Sequence, residues 1–140
     1  MVEEDIVKHL EFIQNIITRM ANNSFLLKGW TVTLVVALFA LAAQNSNSKF
    51  VILAFFPVLT FWILDAFYLW QERLFRALYN DIRNKTKDSI LYEGPFTLDT
   101  TSYKGKVQSW ARTAISKTLV IFYGIMIIAI CIAMLILRVI

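Results

Sequence analysis

The sequence predicts an all-α integral membrane protein with three transmembrane helices, an N-terminal amphipathic helix and a cytoplasmic helical extension of the second span. Three observations carry that prediction. Hydrophobic residues make up 58% of the 140 positions, more than a small soluble core can hide. Three stretches, near 25–44, 50–71 and 118–138, approach or exceed the roughly 20 apolar residues that cross a hydrocarbon layer at 1.5 Å rise each. The fourteen Lys and Arg against ten Asp and Glu, net +4, flank those stretches and form no basic domain, so they read as orientation signals and no nucleic-acid partner is expected.

The chain accordingly divides into 1–23, a cytoplasmic amphipathic helix; 24–71, a transmembrane hairpin; 72–117, a cytoplasmic segment; and 118–140, the third span. In the first element Ile6, Leu10, Ile13, Ile17 and Met20 recur at helical spacing. Glu4, Lys8, Glu11, Gln14 and Thr18 take the other side. Such a stripe needs a membrane surface or a neighbouring helix, and its near-heptad spacing favours a helix. His9, the single histidine, falls on or beside the polar face and reads as solvent-facing. Asn22-Asn23-Ser24 reads as a break or cap before the first span. The acidic Glu3-Glu4-Asp5 start is unlike the basic start of a secretory signal, so no cleaved leader is expected and the first span serves as its own signal.

Gly29 to Ser48 carries no charge, Phe50 to Trp70 carries only Asp65, and Thr118 to Leu137 carries none. Asn45-Ser46-Asn47-Ser48 is a turn-forming tetrapeptide that makes the first two spans an antiparallel hairpin. The segment 72–117 holds nine of the fourteen basic residues, which places it in the cytoplasm. Lys8, Arg19 and Lys28 lie on the same side, leaving Lys49 and Arg138 outside. The expected topology has the N-terminus in the cytoplasm and the C-terminus outside.

The second span should continue as helix past Trp70, supported by Glu72 with Arg76 and Asp81 with Lys85 at i,i+4. It should fray near Lys87, and Gly94-Pro95 marks a turn. Residues 96–103 read as loop. From Lys106 an amphipathic stretch with Val107, Trp110, Ala111 and Ala114 on one side leads into the third span. Pro57 predicts a kink in the second span. The aromatic residues around it (Phe55, Phe56, Phe61, Trp62, Phe67 and Tyr68) read as packing. Trp30, Trp70 and Trp110 read as interface anchors.

Asp65 is the sharpest single feature, because a lone carboxylate in an apolar span costs on the order of 3 kcal/mol and calls for a partner. Counting outward from the turn, Lys28 precedes Gln44 by 16 residues and Asp65 follows Lys49 by 16, so the two share one depth. The count predicts an intramembrane Lys28–Asp65 ion pair near the cytoplasmic side, read as a structural lock. A proton relay would need further ionisable groups in the spans. Thr33, Ala37 and Ala40 on the first span, with Ala129 and Ala133 on the third, are candidate helix-packing positions. Three helices bury few of their own faces, so a homo-oligomer is expected. Ile6, Leu10, Ile13 and Ile17, with Arg73, Arg76 and Arg83, form the candidate surface for a cytoplasmic protein or small-molecule signal. Cys131, the single cysteine, cannot pair within the chain and reads as an inert thiol. No phosphate loop, paired carboxylate, nucleophile–base pair or metal constellation can be assembled, so neither a catalytic role nor a cofactor is expected.

The string Phe12-Ile13-Gln14-Asn15, then Arg19-Met20-Ala21-Asn22-Asn23-Ser24-Phe25-Leu26-Leu27-Lys28-Gly29-Trp30, followed by Leu69-Trp70-Gln71-Glu72-Arg73-Leu74-Phe75-Arg76, resembles a group of small uncharacterised bacterial inner-membrane proteins. A cytoplasmic helix, a tight two-helix hairpin and a following cytoplasmic helix is similar to the SLATT-type membrane effectors of bacterial anti-phage and nucleotide-signalling systems. The third span is additional to that pattern. The resemblance implies an oligomeric effector that perturbs membrane permeability when a cytoplasmic partner or signal reaches it. Two other roles fit the same architecture: a non-catalytic anchor that recruits a soluble partner, and a small channel or transporter subunit. For the latter the available polar lining, chiefly Thr31, Thr33, Thr60 and Asp65, is sparse.

Overall fold

The computed structural model describes residues 2–44, 49–85 and 98–138, and among these it is all-helical, without strands. The elements are α1 (Val2–Ala43), α2 (Phe50–Leu53), α3 (Phe55–Lys85), a 3₁₀ turn at Thr101–Tyr103, α4 (Trp110–Ala114) and α5 (Lys117–Ile136). Three helical stretches, Glu4–Ala43, Phe50–Asn84 and Lys117–Ile136, are long and apolar enough to cross a membrane. The tetrapeptide 45–48, the fraying near Lys87 and the Gly94-Pro95 turn lie outside the described residues.

α1 is one unbroken helix of 42 residues, about 63 Å at 1.5 Å per residue. The break predicted at Asn22-Asn23-Ser24 does not form. Serine and asparagine break helices when their side chains compete for local backbone groups. Here Ser24 Oγ is engaged by Asp65 and Lys28 instead, so that competition is removed.

α1 and α3 pack antiparallel and build two separate cores. At the polar end Ile6, Ile13 and Ile17 of α1 meet Leu74, Leu78 and Ile82 of α3, with Tyr103 closing the side. At the apolar end Val35 and Ala42 of α1, Val51 of α2, Val58 and Ala66 of α3, and Leu119, Tyr123 and Ile130 of α5 are buried together. The amphipathic stripe of α1 therefore finds its helix partner within the same chain.

That packing also corrects the phase of the stripe. His9, expected in solvent, is only 1% exposed. The buried sequence is Ile6, His9, Ile13, Ile17, at spacings of 3, 4 and 4, and Leu10 sits half-buried at its edge. Spacings of 3 and 4 keep either His9 or Leu10 on one helix face with the isoleucines, and the packing against α3 buries His9 more deeply than Leu10. Glu4, Lys8, Glu11, Gln14 and Thr18 are exposed, as their side of the helix predicts.

The second span is interrupted at Ala54, between α2 and α3, rather than at the proline. A proline inside a helix cannot donate to the carbonyl four residues back and its ring crowds that group. For Pro57 that carbonyl belongs to Leu53, the last residue of α2. Around the interruption the backbone tightens, with Ala54 N donating to Val51 O at 3.1 Å. Past it, α3 continues without a break to Lys85.

The predicted amphipathic stretch after Lys106 is shorter and turned. α4 begins at Trp110, where Ser109 Oγ accepts from Arg112 N as the N-cap. Its buried residue is Thr113, whereas Trp110 and Ala111 are exposed and Val107 and Ala114 half-buried. Thr113 Oγ1 donates to the Ser109 carbonyl at 3.0 Å, which lets a hydroxyl take the inward position in so short a helix.

The segment leading to α4 is pinned on α3. Tyr103, 8% exposed, donates its hydroxyl to Asp81 Oδ2 at 2.5 Å, and Lys104 Nζ lies 5.8 Å from the Trp70 ring centroid. Burial, then the hydrogen bond and negative charge of Asp81, push the Tyr103 phenol up to about 12. Because the folded value exceeds the ordinary value of 10.0, this contribution to stability is intact below pH 10 and is lost as pH rises toward 12. Tyr103→Phe should remove that alkaline sensitivity and cost about 1.5–3 kcal/mol at neutral pH, read by thermal unfolding at stepped pH.

Candidate functional site

The three long helices converge on one buried polar cluster centred on Asp65. α1 supplies Ser24 and Lys28, four residues apart and so on one face, with Thr31 one turn further on. α3 supplies Asp65, and α5 supplies Tyr123. Asp65, Tyr123 and Thr31 are fully buried, and the Lys28 side chain retains 21% exposure.

The geometry accounts for each polar group. Lys28 Nζ donates to Asp65 Oδ2 at 2.5 Å and to Ser24 Oγ at 2.9 Å. Ser24 Oγ in turn donates to Asp65 Oδ1, and Tyr123 Oη donates to Asp65 Oδ2 at 2.9 Å. The Phe61 carbonyl lies 3.3 Å from the same phenol as a further acceptor. Thr31 Oγ1 bonds back to the Leu27 carbonyl at 2.7 Å. One carboxylate thus takes three donors from two other helices, the arrangement that allows a charge to be buried at all.

Aromatic packing shields the cluster. Trp62 stacks on Tyr123 at 5.7 Å between centroids and 6° between planes, and Phe122 meets Tyr123 edge-on at 4.9 Å. Lys28 Nζ lies 5.9 Å from the Phe122 centroid. Trp62 Nε1 donates to the Ala114 carbonyl at 2.8 Å, tying the end of α4 to α3. Further along, α5 also packs on the hairpin through Ile130, which is buried in the apolar core.

The Lys28–Asp65 pair foreseen by counting residues is therefore present as a contact. Tyr123, Ser24 and Trp62 were not foreseen beside it. One signal for Tyr123 was available: from Leu119 to Leu137 it is the single side chain with a hydroxyl, and a phenol in an apolar helix needs a partner. Nothing in the sequence pairs it with Asp65 rather than with the many other polar atoms. Tyr123→Phe should cost about 1.5–3 kcal/mol, the range for a hydrogen bond to a charged acceptor. Hydrogen exchange should show the loss concentrated in α5.

The remaining candidates separate by location. Thr33, Ala37 and Ala40 point outward from α1, whose inward row is Thr31, Val35, Leu38 and Ala42. Thr33 Oγ1 satisfies itself on the Gly29 carbonyl at 2.9 Å. Ala129 is half-buried, and Ala133 packs against the apolar core. Trp30 is 59% and Trp110 41% exposed, whereas Trp70 is half-buried against the polar-end core. Ile6, Ile13 and Ile17 are consumed by α3, and Leu10 packs beside them. Arg73 reaches Gln108 at 3.3 Å, Arg76 pairs with Glu72 at 2.7 Å, and Arg83 is exposed. Cys131 is exposed on α5.

No protein-family model, curated protein or solved structure matches this chain. The geometry of the cluster and of the two cores is what bears on function.

Proposed function

We propose that the chain is a multi-pass protein of a bacterial inner membrane, with its N-terminus in the cytoplasm and its C-terminus outside. In this reading it is a non-catalytic, oligomeric effector that alters membrane permeability when a cytoplasmic protein or small-molecule signal reaches its polar end. The observation that carries the reading is the continuity of α1 and α3 from the apolar end to the polar end, with the Asp65 cluster at the joint. Two stiff helices leave little slack between a signal bound at the polar core and the spans. A tilt imposed there acts directly on the clasp that holds α5.

Several features support the membrane part. Large apolar side chains such as Val36, Phe56, Ile63, Ile121, Ile125 and Ile128 face outward, an exposure that water would penalise and lipid would not. The likeness to SLATT-type effectors, in turn, supports a role in anti-phage defence. Inducing the chain together with its neighbouring genes, while a potential-sensitive dye is read, tests the role. Depolarisation is the expected result. An unchanged potential alongside a stoichiometric soluble partner would replace the effector with a membrane anchor, and selective ion flux in reconstituted vesicles would replace it with a channel subunit. The mass of the detergent-solubilised particle gives the subunit number.

A further inference from the structure

We infer that copies of this chain meet head to tail in the membrane, the outward row of α5 on one copy seated in a groove between α1 and α3 of the next. The inference rests on the oligomeric membrane reading above and adds to it the contact surfaces, their register and their symmetry.

The groove is concave and apolar. Leu34 and Ala37 of α1, Leu53 of α2, and Phe56, Pro57 and Thr60 of α3 line most of a recess of about 460 Å³. Among the described lining residues none is charged, Thr60 alone has a polar group, and none belongs to α5. An apolar occupant is therefore required. Helices in lipid gain nothing by hiding apolar surface and associate through close packing, which small residues permit. Ala37 supplies such a low point.

The matching ridge is on α5. Ile121, Ile125, Ile128, Ile132 and Leu135 recur at spacings of 4, 3, 4 and 3, and each is more than half exposed. A β-branched side chain in a helix is held at one χ1 angle. The isoleucines thus stand in advance in the shape they keep on contact, and ordering them costs little entropy. A row at this spacing packs on a neighbouring helix at the shallow left-handed crossing common in membranes.

Depth fits the ridge to the groove. The Tyr123–Asp65 hydrogen bond sets α5 against α3, and α5 runs on from there to touch α2, antiparallel to α3. A residue some number of places after Tyr123 is therefore level with the residue as many places before Asp65. Ile128, Ile132 and Leu135 stand 5, 9 and 12 places after Tyr123, and Thr60, Phe56 and Leu53 stand 5, 9 and 12 places before Asp65. Ala37 stands 9 places after Lys28, the partner of Asp65, and shares the level of Ile132. Copies inserted in the same sense keep these levels, so ridge and groove face each other residue for residue. Because the two surfaces are different parts of one chain, the contact is heterologous and repeats around an axis along the membrane normal.

The test is disulfide cross-linking in membranes between two differently tagged full-length chains, both carrying Cys131→Ala, with copper phenanthroline as oxidant. A disulfide closes only when the two Cα atoms come within about 7 Å. Thr60→Cys in one chain with Ile128→Cys in the other should give a mixed dimer. Moving the second cysteine to Ile121, seven places deeper, should cut the yield to about a tenth or less, since it shifts the thiol about 10 Å along the axis. Thr60→Cys alone should give no dimer, and efficient self-linking by it would reveal a two-fold contact and overturn the head-to-tail assignment. A second measurement is the mass of the detergent-solubilised particle. Ala37→Trp fills the groove from an exposed position and should reduce the particle to one chain, while Val36→Trp, exposed beside it, should keep the wild-type mass. Circular dichroism of each variant separates misfolding from lost contact. An Ala37→Trp particle of wild-type mass, with no mixed dimer, would leave the groove to lipid acyl chains and overturn the inference. A wild-type particle of a single chain would instead show that the oligomeric reading itself has failed.

Discussion

Asp65→Ala should be the most damaging single substitution in the apolar half of the protein. It leaves the Lys28 ammonium without its counter-charge and the hydroxyls of Ser24 and Tyr123 without their shared acceptor. Breaking one side of a buried pair costs about 3–5 kcal/mol. The lower end of that range applies, because Lys28 keeps 21% exposure and part of its solvation. Thermal unfolding in detergent should fall accordingly, with α5 exchanging its amides first. Lys28→Met combined with Asp65→Leu provides the contrast. Replacing both partners by apolar residues of similar size removes the unpaired charge along with the pair, and such replacements are often neutral or stabilising. The double variant should therefore recover most of the loss. If it were as unstable as Asp65→Ala, the loss would lie in the orphaned hydroxyls of Ser24 and Tyr123 rather than in the unpaired Lys28 charge.

A second large effect is expected at the polar end. Leu74 is fully buried between α1 and α3, and Leu74→Ala should cost about 2–5 kcal/mol for the lost contacts and the cavity left behind. The polar core is separate from the apolar one, so the damage should stay local. The exposed Lys8 and Arg19 on α1 give trypsin a readout. Cleavage there should accelerate about thirtyfold or more, since each 1.4 kcal/mol is tenfold in the open population, while the apolar spans remain intact. Uniform loss of both ends would mean that the two cores unfold as one unit. In the proposed function the same variant uncouples the polar end from the spans, so the dye response to a signal should be lost while the chain still reaches the membrane.

How much of this was legible beforehand depends on what kind of information each feature uses. The three apolar stretches were legible because length and composition are local properties, as was the extension of the second span to Lys85. The Lys28–Asp65 pair was legible for a different reason. Between two antiparallel helices joined by a short turn, counting residues from the turn is a measurement of depth. Tyr123 had no such ruler, because α5 is joined to the hairpin by a long segment that leaves its register free. The supposed break at 22–24 misled because the side chain of Ser24 is spent on a residue 41 positions away. His9 misled because a row of spacing 3, 4, 4 and one of 4, 3, 4 differ by less than one helical step, and only a partner helix chooses between them.

By itself, then, the sequence determined that this is an all-helical chain with three segments suited to a hydrocarbon layer, and that a buried carboxylate must meet a cation. Apolar length and the cost of an isolated charge are set by the residues themselves. The tertiary structure alone decided that the N-terminal stripe is covered by α3, that α1 runs through Asn22 and Asn23 without a pause, and that α5 is fastened by a phenol to the same carboxylate. Those outcomes depend on which surfaces reach each other in space, and no local pattern of residues records that.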